Sequence, residues 1–265
     1  KSSRHGGKRT VRIVRNFQFA SFPMPSTGNS VTVKRSVRSS SRCNEISTHS
    51  AIRSTETPYR MSFPMSVGAT VVLFGGRPVP DALFRIMSDQ RPTIFCAVPT
   101  LFAALVNQGE QAGVPDHAIR LCTSAGEALP APIWKQWKEE TGLTIIDGIG
   151  STEAFHIFIS NAPDDVRPGS SGKPVPGFEV RLVDEHDEDV ADGEVGELLV
   201  RGPSSAEGYW NRRHKSMSTF EGHWTRTGDK YERNANGRFV YCGRTDDMFK
   251  VSGIWVSPFE VEQAL

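Results

Sequence analysis

The sequence predicts an α/β protein: a parallel-sheet α/β subdomain followed by an antiparallel, barrel-like β subdomain. Between Met61 and about Asn161, short apolar runs alternate with stretches of helical period, the pattern of βαβ units. Beyond that, the runs shorten and Gly-containing turns separate them. A break in composition near Met61 sets the first 60 residues apart from both.

The elements follow in order. "SVGATVVLF" (66–74) is a β-branched apolar run and reads as a buried strand. After Pro80, residues 81–90 carry Ala82, Leu83, Ile86 and Met87 at helical spacing. "TIFCAVP" (93–99) is a second strand, and "TLFAALVNQ" is helical. "IRLCTSAGEALP" is a short strand running into a Gly-containing loop. "PAPIWKQWKEETG" is an amphipathic helix with Pro at its start and Gly142 at its end. "LTIID" is one more strand. "FEVRLVDE", "VGELLVRG" and "GRFVYCG" then form the antiparallel part, with turns at Asp192-Gly193 and Asn236-Gly237. The chain ends in "SPFEVEQAL", a helix start with Ser257 as N-cap and Glu260 at the capping-box position. The resulting division is 1–60, 61–165, 166–243 and 244–265.

Composition bounds the function. No apolar run approaches the roughly 18 residues a membrane span needs. Four cysteines, Cys43, Cys96, Cys122 and Cys242, lie far apart without a C-x-x-C pair. That spacing speaks against a disulfide scaffold or zinc finger and for a reducing cytosol. Residues 1–60 hold 12 of the 31 Lys and Arg, 12 serines and two acids, leaving 19 basic and 28 acidic residues beyond. Such an arm could bind nucleic acid or act as a targeting peptide. It lacks a stacking aromatic pattern and a recognisable nucleic-acid fold, so a segment without native-like folding is the expectation.

Ligands of open α/β sheets bind beyond the carboxyl ends of strands, which singles out the loops that follow them. "TSAGEALP" places Ser124, Gly126 and Glu127 at one strand end. "DGIGSTEAFHIF" places two glycines, two hydroxyls and a carboxylate at another. Gly148 and Gly150 permit positive φ and close approach to a ligand. Ser151 and Thr152 can donate to phosphate, and Glu153 is a hard oxygen ligand suited to Mg²⁺. The same residues serve equally as a tight turn capping a following helix, with Ser151 as N-cap. In "WTRTGDK", Asp229 can accept both hydroxyls of a ribose, or simply form an Asx turn. Arg244, in "GRTDDMFKVSGIWVSP", is a fixed cation within reach of ribose or phosphate, or half of a surface ion pair.

These clusters, in this order, resemble the adenylate-forming acyl-CoA synthetase superfamily, most closely its benzoate–CoA and 4-hydroxybenzoate–CoA ligase branch. The likeness runs from about Ser62 to Leu265 and includes "FPMSVGATVVL", "GKPVPGFEV", "YWN" and "TRTGDKY". It implies an acid–thiol ligase using ATP, Mg²⁺ and CoA. In the family, an aryl carboxylate attacks the α-phosphate of ATP, and the CoA thiol then displaces AMP. By this resemblance Ser124, Ala125, Gly126 and Glu127 form the adenine-side loop, beside Asp147 and Gly148. Thr152 contacts phosphate, Glu153 holds the metal, and Asp229 and Arg244 grip the ribose. Asp246 is the implied hinge, and Lys250 and Gly253 belong to the face that meets CoA. Ile149 and His156 are expected to face the aryl acid; the competing role for His156 is a core helix histidine satisfied by a carbonyl.

The family's phosphate loop, a Ser/Thr/Gly-rich segment ending in Pro-Lys-Gly, is expected near residue 10 and is not there. Right length with wrong residues suggests a reading-frame error upstream. The family's carboxy-terminal domain and its lysine are expected beyond Leu265, so the polypeptide as given is expected to be inactive or nearly so. Two alternatives stand beside the ligase: an adenylating enzyme that loads an acyl carrier protein, and a non-catalytic nucleotide-binding or nucleic-acid-binding protein.

Overall fold

In the computed structural model of the chain, the described residues are 45–48, 67–74, 76–247, 249–251 and 254–256, with Pro64, Pro258 and Val261. Most of the basic segment, Gly253 and nearly all of the helix start expected at 257–265 lie outside them.

Seven strands form the first sheet: β1 (Glu45–Thr48), β2 (Thr70–Leu73), β3 (Ile94–Ala97), β4 (Leu121–Ser124), β5 (Ile145–Gly150), β6 (Ile157–Ser160) and β7 (Lys173–Pro174). Their spatial order is β2-β1-β3-β4-β5-β6-β7, parallel as far as β5 and antiparallel after it. β1 comes from the basic segment, where composition predicts no strand, and pairs with both β2 and β3.

Three helices connect the parallel strands: α1 (Pro80–Gln90), α2 (Pro99–Ala112) and α3 (Ala131–Thr141). Each carries a proline in its first turn, where the missing N–H has no intrahelical partner to lose. α3 stops at Gly142, whose φ of 71° lets its N–H reach back to the carbonyl of Lys138 at 2.9 Å. The apolar stripes of the helices meet the sheet in one core containing Leu83, Met87, Phe95, Phe102, Leu105, Trp137 and Ile145. Phe102 stands edge-on to Phe95 at 5.6 Å and to Trp137 at 5.1 Å. Each such side chain stabilises the fold by roughly 1.5–3 kcal/mol through burial. No helix among the described residues is long and apolar enough to cross a membrane.

The second sheet is antiparallel. β8 (Glu179–Val183), β9 (Val195–Arg201), β10 (Phe220–Glu221) and β11 (Trp224–Arg233) lie in the order β10-β11-β9-β8, and β12 (Phe239–Arg244) pairs with β11. Gly193 and Gly237 turn at φ 88° and 69°, as their Asp-Gly and Asn-Gly dipeptides predict. A short helix, α4 (Arg213–Thr219), precedes β10. The second core joins the two sheets: Ala154, Phe158 and Ile159 from around β6 pack with Leu182, Leu198, Val200, Tyr231 and Phe239. A two-stranded hairpin, β13 (Phe249–Val251) with β14 (Ile254–Val256), follows.

Among the described residues β11 is the longest strand, although its Thr227-Gly228-Asp229 also reads as an Asx turn. Gly228 at φ 73° and a break in register between Arg226 and Lys230 form a bulge that carries the strand past Thr227-Gly228-Asp229. Arg226 fixes its first half by pairing with Glu197 of β9, Glu221 of β10 and Asp187.

Candidate functional site

The carboxyl ends of β4 and β5 lie side by side, with Ser124 paired to Asp147. Ser124 and Ala125 are buried, whereas Gly126, at φ 95°, and Glu127 turn outward into solvent. Ser124 is 3% exposed and its Oγ has no hydrogen-bond partner among the described residues. A buried hydroxyl left unpaired costs roughly 1–3 kcal/mol, a cost that a bound ligand can remove.

Gly148 and Gly150 are required for a different reason from the one expected. Neither has a positive φ. A Cβ on Gly148 would lie 2.6 Å from the Ile159 carbonyl oxygen, and one on Gly150 would lie 2.6 Å from that of His156. The close approach they permit is that of the returning β6 backbone.

A cavity of about 290 Å³ opens between these strand ends and β6. Ser124, Ala125, Ile146, Gly148, His156 and Ile157 are among the residues that line it. Alternation along β5 puts Ile146 and Gly148 on the cavity side. Ile149, expected beside His156, points the other way and packs against the second core.

Residues 151–156 form a turn, and the chain then returns as β6, so no helix follows for Ser151 to cap. Ser151 Oγ instead accepts the N–H of Ala154 at 3.1 Å. Ala154 is fully buried in the second core. Phe155 is held at φ 72°, an outlier for a bulky side chain, and is 47% exposed. His156 is half-buried in a turn rather than in a helix. Its Nδ1 donates to the Ile157 carbonyl at 2.6 Å, and its ring stands edge-on to Phe178 at 5.7 Å. The carbonyl bond expected of a core histidine and the cavity position expected of a ligand-facing one therefore occur together.

Thr152 is exposed, and Glu153 beside it is half-buried. Glu153 Oε1 accepts the phenol O–H of Tyr209 at 2.5 Å, and its carbonyl accepts the N–H of Ala206 at 2.7 Å. Burial, followed by the bond to Glu153, pushes the Tyr209 phenol above its usual pKa. Sequence reasoning did not single out Tyr209; its only signal was membership of "YWN", 56 residues from its partner.

Asp229 and Arg244 form an ion pair across β11 and β12. The Asp229 N–H donates to Thr227 Oγ1 at 3.1 Å, and Arg244 Nη1 donates to the Thr227 carbonyl at 3.1 Å. Burial raises the Asp229 carboxyl above its usual pKa against the opposing pull of Arg244 and Thr227. Tyr231, two residues on and fully buried, hydrogen-bonds Ser171 at 3.2 Å. Its phenol is raised by burial first, and further by the carboxylates of Asp229 and Asp147. Both acids therefore lie within electrostatic reach of one phenol, which relates the end of β5 to the bulge of β11.

The structure brings Ser124, Ala125, Gly148 and His156 around one cavity. Glu153, Asp229 and Arg244 are not among its lining residues. Asp246 is exposed in the turn after β12. Lys250 pairs with Trp255 in the final hairpin, and Gly253 lies outside the described residues. Among the described residues, no group of three His, Cys, Asp or Glu side chains is placed to hold a metal ion.

The sequence matches the family model of the AMP-binding enzyme over residues 35–210. It is 54% identical over 207 residues to the 4-hydroxybenzoate–CoA/benzoate–CoA ligase of Rhodopseudomonas palustris, covering 77% of this chain and 38% of that protein. It is 52% identical over 204 residues to the benzoate–CoA ligase of Thauera aromatica, covering 77% and 39%. The fold matches the crystal structure of the anthranilate CoA ligase AuaEII in complex with anthranoyl-AMP, with a TM-score of 0.78 and 47% identity over 83% of this chain and 43% of that one. The chain spans about two fifths of the length of these relatives. By the extent of the family match, the chain belongs to the AMP-binding enzyme family.

Proposed function

We propose that this chain is the central part of an AMP-forming aryl-carboxylate–CoA ligase of the benzoate type, working through an acyl-adenylate. The observation that carries the proposal is the single cavity shared by the Ser124–Ala125 strand end, Gly148 and His156. A ligand with an adenosine end and a flat aryl end spans those two sides. Ser124 Oγ, buried without a partner among the described residues, suits a polar edge of that ligand. The two relatives above are named for CoA, so the carrier-protein alternative is not favoured.

The remaining roles follow the division of the chain. Residues 61–165 bind nucleotide and acyl group, 166–243 supply Asp229 for the ribose, and 244–265 begin the hinge. Gly126, Glu127 and Asp147 border the adenine, Thr152 meets phosphate, and Arg244 shares the ribose with Asp229. Asp246 is the hinge, with Lys250 and Gly253 on the CoA side.

Mg²⁺ is held by one or two carboxylates together with substrate phosphates rather than by a protein cage. Glu153 fits that need, because Oε1 is engaged by Tyr209 and Oε2 accepts no hydrogen bond from a described residue. When bound, the ion would neutralise phosphate charge. Positioned charge of this kind, rather than a covalent nucleophile, is what phosphoryl chemistry requires.

Calorimetric titration of this chain with AMP and with a non-hydrolysable benzoyl-adenylate tests the proposal. The benzoyl-adenylate should bind more tightly than AMP, and His156→Ala should weaken it while sparing AMP. Equal affinity of the unaltered chain for both ligands would remove the aryl site from this cavity.

A further inference from the structure

The turn that carries Glu153 is fastened to the loop after β9 at three points. Ser204 Oγ donates to the Ala154 carbonyl at 2.7 Å, the Ala206 N–H donates to the Glu153 carbonyl at 2.7 Å, and the Tyr209 hydroxyl donates to Glu153 Oε1 at 2.5 Å. The first two fix the backbone, and only the third reaches the carboxylate. Tyr209 is itself held in place. Its N–H donates to Ser216 Oγ of α4 at 2.9 Å, and its ring stands edge-on to Phe220 at 5.2 Å. The turn is strained where it leaves the clamp, with Phe155 in the left-handed region at φ 72°. A bulky residue persists there only when its surroundings over-determine the backbone. The clamp supplies that determination before Phe155, at Glu153 and the fully buried Ala154, and the bond from His156 Nδ1 to the Ile157 carbonyl supplies it after.

Building on the assignment of Glu153 as a cation ligand made above, we infer that Tyr209 is a positioning residue for that carboxylate. Its hydroxyl occupies Oε1 and fixes the plane of the group, so that Oε2 alone is presented to a divalent ion accompanying a nucleotide phosphate. Partners that orient a metal-binding carboxylate typically contribute about 10–100-fold to metal affinity. The ring of Tyr209 does the packing and its hydroxyl does the orienting, so Tyr209→Phe separates the two.

The test uses the chain as it is, with Mn²⁺ as the probe. Mn²⁺ binding in the presence of ATP is followed by electron paramagnetic resonance, and metal-free AMP binding by calorimetry. Tyr209→Phe should lower Mn²⁺ affinity about tenfold while leaving metal-free AMP affinity and the melting temperature unchanged. Equal losses in both affinities would make Tyr209 a purely structural residue and overturn the inference. Unchanged Mn²⁺ affinity in Tyr209→Phe, alongside a large loss in Glu153→Gln, would overturn the inference and leave Glu153 as the ligand. Unchanged Mn²⁺ affinity in Glu153→Gln, or no ATP-dependent Mn²⁺ binding by the unaltered chain, would overturn both assignments together.

Discussion

Arg244 Nη1 donates to Asp229 Oδ1 at 2.9 Å across directly paired residues of β12 and β11, at the bulge that Gly228 creates. A Cβ on Gly228 would lie 2.9 Å from Arg244 Nη2, so the glycine leaves room for the guanidinium to lie over the strand. Three features of "TGD" thus act on one carboxylate: the Thr227 hydroxyl accepts its backbone N–H, Gly228 admits its partner, and Asp229 presents the oxygens.

Asp229→Asn separates nucleotide binding from stability. The Asp229 carboxyl titrates above its usual range because of burial, so ionised Asp229 opposes folding as pH rises through its folded pKa. The Arg244 side chain is 43% exposed and tolerates the loss of its partner. At pH 7 the melting temperature should therefore change little. AMP affinity should fall about tenfold or more, as expected for loss of a charged hydrogen bond worth roughly 1.5–3 kcal/mol. Calorimetry with AMP and a thermal melt decide the matter. A large melting shift with unchanged AMP affinity would make the pair a strut of the sheet and nothing more.

A second carboxylate has no visible use in the site. Both oxygens of Glu140, on α3, are shut off from solvent without a hydrogen-bond partner among the described residues. Burial, and then the charge of Glu110, raises its pKa. For an acid raised in the folded state, the proton is bound more tightly on folding, so stability falls as pH rises through the folded pKa. Glu140→Gln should raise the melting temperature at pH 7, and the gain should shrink towards pH 4, where the carboxyl is already protonated. Parallel melts across that range give the difference directly. A gain that stays constant with pH would assign the effect to packing against Gly109 instead of charge.

The elements that were legible in the sequence are those whose signals are local. α1, α2 and α3 combine helical spacing with proline starts, and β3, β4 and β5 are compact apolar runs, so each reads correctly within its own dozen residues. β11 does not, because its inner face alternates Thr225 and Tyr231 with a bulge between them, and the bulge residues resemble a loop. β6 hid within "EAFHIF" because four apolar residues after Glu153 fit a helix as well as a strand; the buried β6 interface with β5 decides between them. The site divides in the same way. Ser124 and Asp147 were readable as strand-end residues, but the partnership of Tyr209 with Glu153 is a tertiary contact across 56 positions with no local trace. Strand alternation, which the motif alone does not show, sends Ile149 to the opposite face from Gly148, against the second core.

Gly172 stands where the two sheets meet and offers a sharp comparison with Gly177. Both have positive φ, 99° and 94°. A Cβ on Gly172 would lie 2.2 Å from the carbonyl carbon and oxygen of Ser160, whereas one on Gly177 would meet nothing within 4 Å. Gly177→Ala should therefore cost only the left-handed backbone penalty, roughly 1–2 kcal/mol. Gly172→Ala carries that penalty plus a clash with rigid backbone, and the strand end next to Asn161 must move to relieve it. Asn161 Nδ2 donates to the carbonyls of Asp147 at 3.2 Å and Ser170 at 2.6 Å, so the displacement would reach the end of β5. Thermal melts should rank the two variants with Gly172→Ala clearly the less stable, and AMP affinity should fall in that variant only. Equal melting losses would mean that the sheets can part at Ser160 without strain, and that the end of β5 is held by something other than this junction.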